Sequence, residues 1–246
     1  MILLRAKEIF SLSLAILLMA CNESKSPSNV KASGEETTLK STVLEKGAAL
    51  LQGKDPLEAL NVYMNGFHFP NGELSVQMEA HHYCSVINEE INQCIIYDGN
   101  NKDAKLIGIE YIISQKLFET LSQEERKLWH SHAYEVKSGQ LIAPGLPQLA
   151  EYEFMKKIIN TYGKTWHTWH THRQDSLPIG LPLLMMGFTG EAQADPVLIE
   201  SRDKRFNISS EEKRKEREDI AATSISPGAD AWEKGEIFQL RLEATK

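Results

Sequence analysis

Two rhythms of apolar and polar positions run along this chain of 246 residues. From Thr38 onward, Leu39, Val43, Leu44, Ala48, Leu50 and Leu51 recur at helical spacing, and Gly53 supplies a stop. That pattern predicts an amphipathic helix. Asp55-Pro56 offers an N-cap and first-turn pair for a second, shorter helix. The period then changes to two. Over residues 75–87, Val76, Met78, Ala80, His82, Cys84 and Val86 share one strand face, and Glu79, His81, Tyr83, Ser85 and Ile87 the other. Phe67-His68-Phe69 before the turn Pro70-Asn71-Gly72, and the runs 94–97 and 106–113, read as further strands. Ser122 followed by Glu125 suggests a capping box within the stretch 116–129. Ala133 to Ile142 reads as a hairpin around Ser138-Gly139, and Leu149 to Tyr162 as a helix stopped by Gly163. A short apolar run covers 183–188, and a charged helix near 210–222 starts from Ser209 and Glu212. Together these predict an α+β fold: a mainly antiparallel sheet with helices packed on it. Strand order and barrel closure stay open.

The N-terminal end adds a targeting expectation. Arg5 and Lys7 precede an apolar run from Ile9 to Met19, and Leu18-Met19-Ala20-Cys21 closes it. The run is too short to span a bilayer. It resembles a bacterial lipoprotein signal, which implies a signal peptide over 1–20 and a lipidated Cys21. Asn22, rather than Asp, then implies the cell envelope, with the chain held at the outer membrane facing the periplasm. The membrane, reached through Cys21, would be its partner. Residues 21–37 are polar and rich in Ser, with Pro and Gly, and read as a flexible tether to a single domain over 38–246. A formal charge of −7 argues against a nucleic-acid partner. Apart from Cys21, Cys84 and Cys94 are the only cysteines. A hairpin centred on Glu89 would oppose them and permit a disulfide, whereas a slip of one residue would separate them.

Candidate chemistry lies in the histidines, all eight of which fall between residues 68 and 172. Three groups stand out: His81-His82-x-Cys84, His130-x-His132-x-x-Glu135 and His167-x-x-His170-x-His172. Imidazole offers a free lone pair near neutral pH, and two rings at i, i+2 on a strand point the same way. A divalent transition metal would be held first by His130 and His132, then by His82 and His172, with Glu135 or Glu110 as carboxylate ligand or base. The open alternatives are histidines that hydrogen-bond in a polar core and metal-free acid–base chemistry. Residues 130–139 also resemble the first metal motif of cupins, but His132 to Glu135 is shorter than that motif and no second motif follows.

Longer blocks carry a more specific resemblance: EAHHYCSVINEEINQCIIYD at 79–98, KLIGIEYII at 105–113, EERKLWHSHAYEVKSG at 124–139, and 161–188 ending in LPLLMMGF. The stretches around Glu211 to Arg217 and Pro227 to Trp232 extend it. These resemble the uncharacterised-domain family that includes the plant oil body-associated proteins, from about residue 55 to about 235. The resemblance implies a role at lipid surfaces, with a lipid or protein partner. It transfers no catalytic residues and leaves open whether the domain is an enzyme. The reading at this point is therefore an anchored lipoprotein serving as a lipid-surface or partner-binding module, with a His-rich metal-binding domain or metalloenzyme as the alternative.

Overall fold

A computed structural model describes residues 25–244, so the signal reading over 1–20 and Cys21 lie outside the described residues. In chain order the elements are helices α1 (Leu39–Leu51) and α2 (Asp55–Glu58), then strands β1 (Val62–Pro70), β2 (Met78–Asn88), β3 (Ile91–Tyr97) and β4 (Leu106–Ser114). Next come the one-turn helices α3 (Gln115–Phe118) and α4 (Gln123–Arg126), strand β5 (His130–Ser131), and helices α5 (Ala133–Lys137) and α6 (Gln148–Ile158). Strands β6 (Thr161–His167) and β7 (Leu183–Met186), helices α7 (Pro196–Phe206) and α8 (Ser210–Glu216), and strand β8 (Pro227–Asp230) complete the set.

The α+β class holds, in a more specific form. The strands run in the order β4-β3-β2-β1-β7-β6-β5, and β4 also pairs with β6. That second pairing closes β1, β2, β3, β4, β6 and β7 into a six-stranded antiparallel barrel. Closure removes the exposed edges that an open sheet would present. Along the seam, β1 meets β7 only at Phe69↔Met186 and Pro70↔Met185. Nearer its start, β1 is instead bridged to Ile142, whose backbone exchanges two hydrogen bonds with Asn65.

Period two decides what the barrel encloses. Met64 pairs with His82, His82 with Ile96, Ile96 with Gly108, and Gly108 with His167. One strand step away, Cys84 pairs with Cys94, Cys94 with Glu110, and Glu110 with Thr165. Partners in register share a face, so polar His82, Glu110, Thr165 and His167 share the inner face with the apolar residues. The sulfurs of Cys84 and Cys94 are bonded within the same buried cluster as Met64, Ile112, Met155 and Ile158. Helix α6 contributes Met155 and Ile158 to that cluster. On the outer face of β1 and β7, Phe67, Phe69, Leu184, Met186 and Phe188 pack under Leu198 and Ile199 of α7 and under Trp232.

Three local readings change. The predicted 133–142 hairpin is a helical turn followed by the bridge at Ile142, because residues 133–137 close i→i+4 bonds and Ser138 N donates to Tyr134 O. Gly163 stops no helix: α6 ends at Ile158, and Gly163 lies inside β6 opposite both Ile112 and His130. Helix α7 lies in a stretch for which the pattern predicts no element. Its Arg202 is fully buried, donating to Asn65 Oδ1 at 3.0 Å and to Gln140 O at 2.8 Å, so one charge can face inward without losing partners.

The described part of the predicted tether is docked rather than free. Ser26 is buried; its N–H donates to Asn100 Oδ1, and Asn29 N–H and Ser28 Oγ both donate to the Asp98 carboxylate. Polar composition sets no flexibility where the β3–β4 turn supplies partners of this kind. Helix α1 behaves in the opposite way. Thr38 caps it, accepting from Ser41 N, yet none of its residues is buried. Among the described residues no helix is long and apolar enough to cross a membrane.

Candidate functional site

The barrel interior holds a polar cluster built from five elements. His68 comes from β1, His82 from β2, Glu110 from β4, His130 from β5, and His132 from the residue that precedes α5. All five are at most 4% exposed. Glu110 is the centre. Its Oε2 lies 2.9 Å from His82 Nε2 and 3.9 Å from His68 Nε2. Its Oε1 lies 3.1 Å from His132 Nε2 and 3.6 Å from His130 Nε2. Among the described residues, two triads therefore bring potential ligand atoms within 4.8 Å of one another: His68, His82, Glu110 and Glu110, His130, His132. Free space of about 10 Å³ remains between them, room for a single water-sized species.

Glycine makes this density possible. A Cβ on Gly163 would stand 2.1 Å from Glu110 Oε1 and 2.9 Å from His130 Nε2. A Cβ on Gly187, just beyond β7, would stand 2.5 Å from Glu135 Oε2. Both positions are backbone walls against which a carboxylate rests. Around the cluster, a second set of groups orients it. His132 Nδ1 lies 2.8 Å from Thr161 Oγ1, and that hydroxyl donates to Ile158 O at 2.7 Å. His68 Nδ1 lies 3.2 Å from His167 Nε2.

The electrostatics separate the two carboxyls. Burial alone would push Glu110 up, but hydrogen bonds from His132 and His82 and the field of the imidazoles outweigh it. The group is held well below the usual carboxylate range. Glu135 has no such donors. Burial first, then the negative charges of Glu110 and Asp230, raise it well above that range. Burial also depresses the imidazoles: His68 well below its ordinary value, His130 and His167 to about 3. The chamber thus sets a carboxylate held low, Glu110, among imidazoles and beside a second carboxyl that burial holds high, Glu135. Such a set can bind a cation or relay a proton.

The structure brings His82, His130, His132 and Glu135 of the sequence-read set to this chamber. His172 lies elsewhere, in a single 3-10 turn, half-buried near Ser26 and Asp98 outside the chamber. Glu135 sits at the edge, 4.0 Å from His130 Nε2, and takes no part in either triad. Sequence reasoning assigned no role to His68 and left His167 unassigned within its group. For His68 the strand period carried a signal, since Met64, Gly66 and His68 alternate with Asn65, Phe67 and Phe69.

Residues 54–221 match the model of a family described as protein of unknown function (DUF1264). The chain belongs to the DUF1264 family. Its similarity extends beyond the matched segment to named plant proteins. Oil body-associated protein 1B of Arabidopsis thaliana is 41% identical over 210 residues, 85% of this chain and 87% of the relative. Oil body-associated protein 2C of the same plant is 41% identical over 213 residues, 85% of this chain and 90% of the relative. Oil body-associated protein 1A of Zea mays is 39% identical over 222 residues, 88% and 93% of the two chains. No solved structure matches. These relatives of the DUF1264 chain are plant oil body-associated proteins, not lipoproteins of a bacterial outer membrane. They overturn the expectation of a lipid-anchored outer-membrane location facing the periplasm.

Proposed function

We propose that this protein works at a lipid surface, which it meets through its own folded chain. The observation that carries this reading is helix α1. Leu39, Leu50 and Leu51 are more than 80% exposed, and Val43 and Leu44 at least 60%. At 100° per residue, Leu39, Leu50 and Val43 fall together, and Leu51, Leu44 and Ala48 continue the same half of the helix. Ser41, Thr42 and Glu45 occupy the other half. Lys46 borders the apolar arc and Lys40 lies within it, where a long stem can bury while its ammonium reaches water. A helix with this division lies in an interface plane rather than across it.

The names of the relatives support a lipid surface as that interface. Partial burial of five aliphatic side chains would favour association by roughly 5 kcal/mol before losses, enough for reversible peripheral binding. The test is flotation of the full chain with triacylglycerol droplets coated by phosphatidylcholine. The wild-type protein should float with the droplets. A Leu39→Ser, Leu50→Ser, Leu51→Ser variant should stay in the aqueous layer with its near-ultraviolet spectrum unchanged. Equal flotation of the two, or none by the wild type, rejects the reading.

A further inference from the structure

The barrel chamber carries an inference independent of the lipid surface. We propose that it is a binding site for one divalent first-row transition metal ion, held by His68, His82, His130 and His132 with the Glu110 carboxylate at its centre.

The decisive contact is between His132 and Glu110. Thr161 has a single hydroxyl proton, and it goes to Ile158 O at 2.7 Å. The hydroxyl oxygen can therefore only accept from His132, so the ring carries its proton on Nδ1. Its Nε2 faces Glu110 Oε1 at 3.1 Å, a contact that needs either a second ring proton or a cation between the two atoms. Two acceptors at that distance repel unless a proton or a cation lies between them. A metal ion resolves the conflict without charging the ring, and it uses the tautomer that Thr161 imposes.

A second observation comes from His130. It is fully buried, and neither ring nitrogen has a hydrogen-bond partner. An imidazole left in this state loses the solvation of both nitrogens. Its Nε2 lines the chamber 3.6 Å from Glu110 Oε1. His68 completes the pattern. Its Nδ1 lies 3.2 Å from His167 Nε2, and its Nε2 points to Glu110 Oε2 at 3.9 Å.

Spacing and charge fit one ion. Ligands about 2.1 Å from a metal stand about 3.0 Å apart along an octahedral edge and about 3.4 Å along a tetrahedral one. The donor pairs that surround Glu110 span 2.9 to 3.9 Å. Every ion-pair contact of Glu110 among the described residues is to a histidine, so no Lys or Arg neutralises it. A buried carboxylate in that setting calls for a cation. Four imidazoles and one carboxylate favour zinc, iron, nickel, copper or cobalt over magnesium or calcium, which prefer all-oxygen shells. Thr161 and His167 act as positioning residues.

The experiment uses the full chain without a histidine tag, stripped with chelator and titrated with Co²⁺ while the visible absorption of the bound ion is recorded. One equivalent per chain should saturate the signal, and Zn²⁺ should displace it. Glu110→Gln should weaken binding roughly 100-fold. Thr161→Val should weaken it roughly 10- to 100-fold with unchanged circular dichroism, and Thr161→Ser should restore it. His172→Gln should leave it within a few-fold. A folded wild-type chain that takes up neither Co²⁺ nor Zn²⁺ overturns the proposal. So does binding that is undiminished in Thr161→Val, or uptake of two equivalents. If Glu110→Gln fails to fold, the wild-type titration and the Thr161 pair still decide.

Discussion

The barrel chamber and helix α1 are opposite inversions of the rule that apolar side chains go inside and polar ones outside. In the chamber, five histidine and glutamate side chains are buried behind a wall of strands. In α1, five aliphatic side chains stand in solvent on a helix with no buried residue. The two regions are stabilised differently. The chamber is over-determined: register, glycine walls and second-layer hydrogen bonds all act on the same groups. The arm is held by its own backbone bonds and the Thr38 cap, with no core beneath it. Each inversion lowers stability unless something outside the chain compensates, a cation in one case and an apolar surface in the other. Departures of this kind from local consistency are where function is expected.

The largest expected break falls on the chamber side. Burial depresses His130 and His167 to about 3, whereas in the unfolded chain each would titrate near its ordinary value of about 6.5. Between those limits the unfolded state binds more protons, so stability falls as pH drops. The metal-free protein should keep its full stability from these groups above pH 6.5 and unfold as pH falls toward 3. Circular dichroism along an acid titration checks this; a flat signal down to pH 3 would contradict it.

A smaller effect should follow from filling one of the glycine walls. Gly163→Ala would place a methyl against Glu110 and His130 and should cost about 3 kcal/mol, the upper range for overpacking, seen in chemical denaturation. An unchanged midpoint would mean that the chamber is looser than its distances indicate.

Next in size is the cross-link under the chamber. Cys84 and Cys94 are separated by 10 in sequence, and removing the bridge as Cys84→Ala, Cys94→Ala should cost about 2.5 kcal/mol by loop-closure entropy. Urea midpoints of the two proteins compare directly.

The smallest effect sharpens the contrast. Leu50→Ser on the arm should change stability by less than about 0.5 kcal/mol, because the side chain is 84% exposed. A large loss of melting temperature would mean that α1 has a partner surface within the fold.

Local order was legible where it depends on neighbours in sequence. Thr38 marks the start of α1, and Ser122 and Ser209 cap α4 and α8 by accepting from the backbone three residues on. The alternation of β2 groups Met78, Ala80, His82 and Cys84 on one face, which the barrel turns inward. Legibility failed where one residue serves two neighbours. Gly163 reads as a helix stop because glycine commonly ends helices, yet its lack of a Cβ is used against Glu110 and His130, distant in sequence. Ala133 to Ile142 carries hairpin-like spacing, but Ile142 pairs with β1 rather than with its own neighbours. His68 between two phenylalanines reads as core, and only the paired strands turn its ring toward Glu110.

The sequence by itself determined the α+β type and which residue kinds could bind a cation, because composition and short-range period carry that information, and its long motif blocks pointed to the family. Only the tertiary structure decided which histidines meet. The pairing of β4 with β6 closes the sheet, and closure converts separate inward faces into one chamber around Glu110. The same step put His172 outside and His68 inside, since membership of the site follows from strand register across the whole chain and not from spacing along it.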